Sequence, residues 1–169
     1  MARVFLAAVL LAVPISYGVL CASHTELSVT GTVIAVVSGA EIDVLVTRSS
    51  LEKTVAEGVI ARVVYHGLLT PGRFDPLYME AFDLNWNLVV DSEVYLDVAD
   101  APWDEERRLH AYVYLDPGGY GMLNAILLAS GLAAVDPVLD PAEPHAAFLT
   151  EIAAAAERCK LGIWAETGE

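Results

Sequence analysis

The stretch RLHAYVYLDPGGYGMLNAILLASGLAAV, Arg108 to Val135, sets the reading of the whole chain. Leu109 to Asp116 reads as a strand carrying Tyr112 and Tyr114. Pro117-Gly118-Gly119 turns the chain into a short helix, Met122 to Ser130, which Gly131 stops. A Pro-rich link follows, Asp136 to Pro144. A last helix then carries Phe148, Ile152, Ala155, Ala156 and Cys159 on one face and ends near Gly162.

Working back from Arg108, Asp100 to Arg107 is acidic, holds Pro102 and joins two strands as a hairpin connection, the earlier strand being Glu93 to Ala99. Leu77, Ala81, Phe82, Asn85, Leu88 and Val89 fall at helical spacing, with Asp75-Pro76 as the start. Gly67 to Pro76 is a loop. Three more strands precede it: Val29 to Val37, Glu41 to Val46 after a Ser38-Gly39-Ala40 turn, and Gly58 to Tyr65 after a polar connection from Ser49 to Glu57. The order is β-β-β-α-β-β-α-α. Five strands of this length close most naturally into a small Greek-key barrel of the OB kind with three packed helices, mainly β with α.

The bulk numbers bound the function. Charged residues are 19% and hydrophobic ones 56%, which excludes global disorder. Met1-Ala2-Arg3 is a positive start, Val4 to Ala22 carries no charge, and Cys21-Ala22-Ser23 is a small-residue zone before a polar run. This is the order of a secretory signal, so residues 1–22 are expected to be a signal peptide. Its apolar run is also long enough for an uncleaved anchor through residues 4–22, which alone would bring a membrane contact. Residues 23–28 read as a short linker, 29–165 as the domain and 166–169 as a tail. The protein is then secreted or extracytoplasmic. The formal charge is −14, and removing Arg3 with the signal makes it −15. Nucleic-acid affinity rests on phosphate neutralisation by Lys and Arg, so this charge disfavours nucleic acid as a partner without excluding it. Cys159 reads as a small buried hydrophobe, and the four histidines, His24, His66, His110 and His145, lack metal-ligand spacing, although His66 and His110 could approach across the barrel.

Several short matches fall in one order. Arg107-Arg108-Leu109-His110-Ala111-Tyr112-Val113-Tyr114 is followed by Gly119, Leu123-Asn124, Gly131-Leu132-Ala133 and Leu161-Gly162-Ile163-Trp164. Ala81, Asn85, Leu88-Val89 and Val94-Tyr95-Leu96 fit upstream. With these residues the chain resembles staphylococcal-nuclease-like (thermonuclease) domains, from about Val29 to Trp164. The resemblance implies an OB-fold, nuclease chemistry on phosphodiesters and a calcium ion.

The positions that would carry that chemistry have mostly changed. The family turn Asp-Gly-Asp-Thr, whose carboxylates help hold calcium, stands here as Ser38-Gly39-Ala40-Glu41. The family motif Arg-x-x-Gly-Ile-Asp-Thr-Pro-Glu supplies a phosphate-binding Arg, a metal-ligating Asp and the proposed general base. Here those three are Val64, Leu69 and Gly72, while Thr70 and Pro71 remain. A hard cation needs oxygen ligands, and hydrolysis by this design needs metal, base and cations together. Glu41 and Asp43 share a strand face and are the remaining weak metal candidates, or else solvated strand residues. Arg62 shares a face with Val64 and is either a replacement phosphate ligand or the partner of an acid. Arg108 matches the family Arg of the fifth strand and Asp104 an acid four positions earlier, so Arg108 is either a phosphate ligand or an ion-pair partner.

The vestigial catalytic candidates are therefore Arg108, Arg62 and Glu41, and the binding candidates Arg108, Thr70 and Tyr112, the last as a stacking surface shared with Tyr114 and Tyr120. The expectation is a degenerate, catalytically inactive domain, a pseudoenzyme that binds a protein, peptide or small ligand and needs no cofactor. The alternative is a secreted metal-dependent nuclease with a rearranged site, using Ca2+. A purely structural envelope protein is a third reading.

Overall fold

The chain from Val29 to Ser38 forms strand β1, and Gly39-Ala40 turns it directly into β2 (Glu41–Ser49). A computed structural model describes residues 27–165, so the signal-peptide reading of residues 1–22, most of the linker and the tail lie outside the described residues. Next come β3 (Ile60–Tyr65), a two-residue β4 (Leu68–Leu69), α1 (Tyr78–Val89), β5 (Glu93–Trp103), β6 (Leu109–Tyr114), α2 (Leu123–Ala129), a two-residue β7 (Ala134–Val135) and α3 (Ala146–Arg158). A turn of 3-10 helix, Gly162–Trp164, follows.

The five longer strands close into a barrel in the order β1-β2-β3-β6-β5. All neighbours are antiparallel except β3 and β6, which run parallel with Val63 opposite Leu109. This is the mainly β OB-fold with helices that the strand count implies. Alternate side chains turn inward: Ile42, Val44 and Val46 from β2, Ala61, Val63 and Tyr65 from β3, and Val94 and Leu96 from β5 are all buried. Removing a Leu or Val side chain of this kind from water contributes about 1.5–3 kcal/mol.

Two buried asparagines tie helices to the barrel. Asn85 of α1 accepts the Tyr65 hydroxyl at 2.7 Å and donates to the Ser38 carbonyl at 2.8 Å. Asn124 of α2 accepts the Val113 N–H at 3.0 Å and donates to the His66 carbonyl at 2.9 Å. Both amides are satisfied, which is what makes them tolerable at zero exposure. Each therefore holds one of two loops, the β1–β2 turn and the residues after β3.

The two signature segments near the end of the chain meet each other. Gly131 (φ 71°) and Gly162 (φ 51°) both sit in the left-handed region, and the Ile163 N–H donates to the Gly131 carbonyl at 2.8 Å. A Cβ on either glycine would collide with the backbone of the opposite segment.

Four local expectations change. The strand expected to end at Ala99 runs on to Trp103, because Trp103 pairs with Leu109 after an irregular stretch containing Pro102. The buried face of α3 is Ala146, Leu149, Ala153 and Ala156, about one position away from the expected stripe, leaving Phe148 half exposed. The run Ala153-Ala154-Ala155-Ala156 is apolar on every side and carries no period. Cys159 is exposed rather than buried, because it caps the end of α3. Leu68–Leu69 and Ala134–Val135, too short for a pattern, pair with each other.

Candidate functional site

The β1–β2 turn, the segment after β3 and the start of β6 converge at one end of the barrel. Between them lies a cavity of about 390 Å3, bordered by Ala40, Glu41, Leu69, Thr70, Arg108 and His110. A shallower cleft of about 590 Å3 adjoins it, lined by Glu41, Asp43, Ile60, Arg62, Glu106 and Arg108. The tertiary structure thus gathers the residues singled out at Glu41, Asp43, Arg62, Thr70 and Arg108, which lie far apart in the chain.

Strand register explains the pairing inside it. Asp43 on β2 stands directly opposite Arg62 on β3, and Glu41 opposite Val64. Opposed side chains on one face of an antiparallel pair lie within reach of each other. The Arg62 guanidinium accordingly donates two hydrogen bonds to the Asp43 carboxylate, at 2.8 and 3.0 Å, and lies 3.8 Å from Glu41. The hydrogen bond and charge of Asp43 raise the Arg62 pKa further.

Arg108 is held the same way. Its Nε donates to Asp104 at 2.7 Å and lies 3.2 Å from Glu106, and its backbone N–H donates to Asp104 at 2.9 Å. Burial opposes ionisation of Asp104, but the Arg108 backbone and side chain and the His110 ring outweigh it and hold the carboxyl at about 2. The Asp104 hydrogen bond likewise raises the Arg108 pKa. Both guanidinium groups of the cleft are therefore engaged by carboxylates.

The positions that would ligate calcium do not fit it. Ala40 offers a buried methyl and Leu69 a half-exposed isobutyl, while Gly72, at the general-base position, has no side chain. Among the described residues no group of three or more His, Cys, Asp or Glu side chains is arranged to hold an ion. Of the two candidate carboxylates, Asp43 already accepts both Arg62 hydrogen bonds, and Glu41 lies 3.8 Å from the same guanidinium. Oxygen ligands in the number a hard cation takes are absent from this set.

The outward face of β6 is covered, which sequence reasoning missed. The segment after β7 crosses it, and Glu143 accepts the Tyr112 hydroxyl at 2.9 Å and pairs with His66 Nε2 at 2.8 Å. His145 pairs with Asp97 at 3.1 Å and packs its ring edge-on against Tyr112, with centroids 4.4 Å apart. Burial, then the hydrogen bond and charge of Glu143, push the Tyr112 hydroxyl far above its usual range. Tyr112 is 3% exposed, so its ring is closed to an incoming ligand, and Tyr114 is buried as well; Tyr120, by contrast, is exposed. A stacking surface made of these three residues does not exist here. His66 and His110 do approach, edge to face at 5.7 Å, but each faces a different carboxylate, Glu143 and Asp104. Nothing in the spacing of Glu143 or His145 marks them in the sequence. Only the path of the link brings them over β6.

A family model described as staphylococcal nuclease homologue matches residues 71–166. The match spans α1, β5, β6, α2 and α3. It leaves out Ser38–Glu41 and begins at Pro71, near the end of the Val64–Gly72 segment. Among curated proteins none matches the chain.

Proposed function

This chain belongs to the staphylococcal nuclease homologue family, and from that premise we propose that it is an exported, non-catalytic binding domain. The observation that carries the proposal is the state of the cleft cations. Arg62 and Arg108, the two guanidinium groups placed to meet a phosphate, are each bound to a carboxylate. A phosphodiester would have to displace Asp43 and Asp104 in a protein of formal charge −14. Loss of one electrostatic donor at a reacting centre costs a factor of about 10²–10³ in rate, and here metal ligands, base and one family Arg are all replaced. A protein, peptide or small molecule is the better-suited ligand, since OB barrels present a groove whatever their chemistry. The uncharged stretch from Val4 to Ala22 supports export, with either cleavage or retention as an anchor.

A metal-dependent nuclease with a rearranged site is the second reading. It is favoured by one observation, that Glu41, Asp43, Arg62 and Arg108 line a single cleft. Digestion of single-stranded DNA, duplex DNA and RNA in calcium, magnesium or manganese separates the two. The expected result is no cleavage above buffer in any metal. Metal-dependent cleavage that disappears in Arg108→Ala overturns the non-catalytic reading and establishes the second.

A further inference from the structure

Adjoining that cleft, and sharing Ile60 and Arg62 with it, a second one of about 520 Å3 opens between the β2–β3 connection and the end of β5. Lys53, Arg107 and Trp103 line it, with Val59 and Ile60 beside them and Glu52 also bordering it. Trp103 is 42% exposed and Ile60 63% exposed, so an indole and an apolar side chain face solvent next to two cations.

Two features bear on those cations. Acidic residues outnumber basic ones by 23 to 9, and the neighbouring cleft has both guanidinium groups paired. Yet among the described residues neither Lys53 nor Arg107 makes an ion pair or a side-chain hydrogen bond. The second feature is backbone strain. The β5–β6 connection is a three-residue hairpin, in which the Arg107 N–H donates to the Asp104 carbonyl at 3.0 Å and the Asp104 N–H to the Arg108 carbonyl at 3.2 Å. Arg107 occupies its left-handed position, φ 60°, where glycine is the unstrained choice. An arginine there costs stability and, among the described residues, gains no ion-pair partner. Strain kept at an exposed, unpaired cation points to a role for the side chain outside the fold.

We propose that this cleft binds a small ligand made of a flat ring bearing one anionic group, with the ring against Trp103 and the anion between Lys53 and Arg107. An exposed indole offers a stacking face. Two unpaired cations suit a phosphate or a carboxylate. The ligand is small because a polyanion would continue past Glu105 and Glu106 in a protein of formal charge −14, whereas a single anionic group can stay beside Lys53 and Arg107, with Arg62 held by Asp43. The site is independent of whether the neighbouring cleft has any chemistry.

The test is titration of the purified full chain with two probes, AMP as the phosphate source and indole-3-acetate as the carboxylate source, read by NMR at the Trp103 indole N–H and by calorimetry. At least one probe is expected to shift the Trp103 signal saturably, and the stronger one names the anion. Adenosine, or inorganic phosphate alone, should bind at least about tenfold more weakly than AMP if phosphate is preferred. Arg107→Gly is expected to weaken binding about fivefold while raising the melting temperature, because the strain is relieved. Lys53→Gln should weaken binding to a similar extent with the melting temperature unchanged. An unmoved Trp103 signal with both probes overturns the proposal. So does undiminished affinity in both variants, or a response confined to the residues around Arg108, which would place the ligand in the neighbouring cleft.

Discussion

The seam where Gly131–Ala133 meets Leu161–Trp164 and the cleft between the β1–β2 turn and Thr70 were both parts of one family pattern, and they have fared differently. At the seam the glycines are kept, since any Cβ would strike the opposite backbone. At the cleft, the positions that the resemblance assigns to carboxylates hold Ala40, Leu69 and Gly72, and the barrel closes regardless. The difference is one of what each residue is for. A residue that sets the distance between two backbones cannot change without moving both. A residue that only ligates or activates can be replaced at little cost to the fold once its chemistry is no longer needed.

That contrast can be broken most directly at Gly162. Gly162→Ala combines a positive φ with a collision against the Gly131 backbone, and should destabilise the protein by about 4 kcal/mol in urea unfolding. A loss under about 1 kcal/mol would mean the seam is soft and the contrast false. Asn124→Ala tests the tie between the two regions, since Asn124 reaches from α2 to the His66 carbonyl beside the cleft. It should cost about 2 kcal/mol by leaving the Val113 N–H and His66 carbonyl without their partner. Hydrogen exchange should speed up around His66 and Gly67 more than at the seam.

The smallest effect lies in the cleft itself and depends on pH. Asp104 has its folded pKa lowered to about 2. A lowered carboxyl pKa adds stability above the unfolded value near 4, and that stability is lost as pH falls from about 4 to about 2. Since the pair with Arg108 is partly exposed, the contribution should stay within about 1 kcal/mol. Comparing wild type with Asp104→Asn between pH 5 and 2 measures it. If the difference between the two is the same at both ends of the range, the pair contributes nothing.

Much of the fold was legible because it repeats. Runs of β-branched residues gave β1 and β3, and partial alternation gave the start of β2, while the spacing of Ala81, Asn85 and Val89 gave the buried face of α1. The α3 face slipped by about one position because four consecutive alanines carry no period. The β4–β7 pair was invisible, as two residues cannot alternate. At the site, the position of Arg108 beside Asp104 was readable by motif order. The coverage of Tyr112 by Glu143 and His145 was not, and neither was the cleft at Lys53, Trp103 and Arg107, because each depends on where a loop passes.

By itself, then, the sequence determined the barrel and its helices, which follow from local pattern and residue type. Only the tertiary structure decided which charges meet. The Asp43–Arg62 and Asp104–Arg108 pairs occupy the cations of one cleft, while among the described residues Lys53 and Arg107 in the next make no ion pair. Charge pairing acts over a few ångströms in space, and the register of β2 on β3 and the path of the β5–β6 hairpin set those distances.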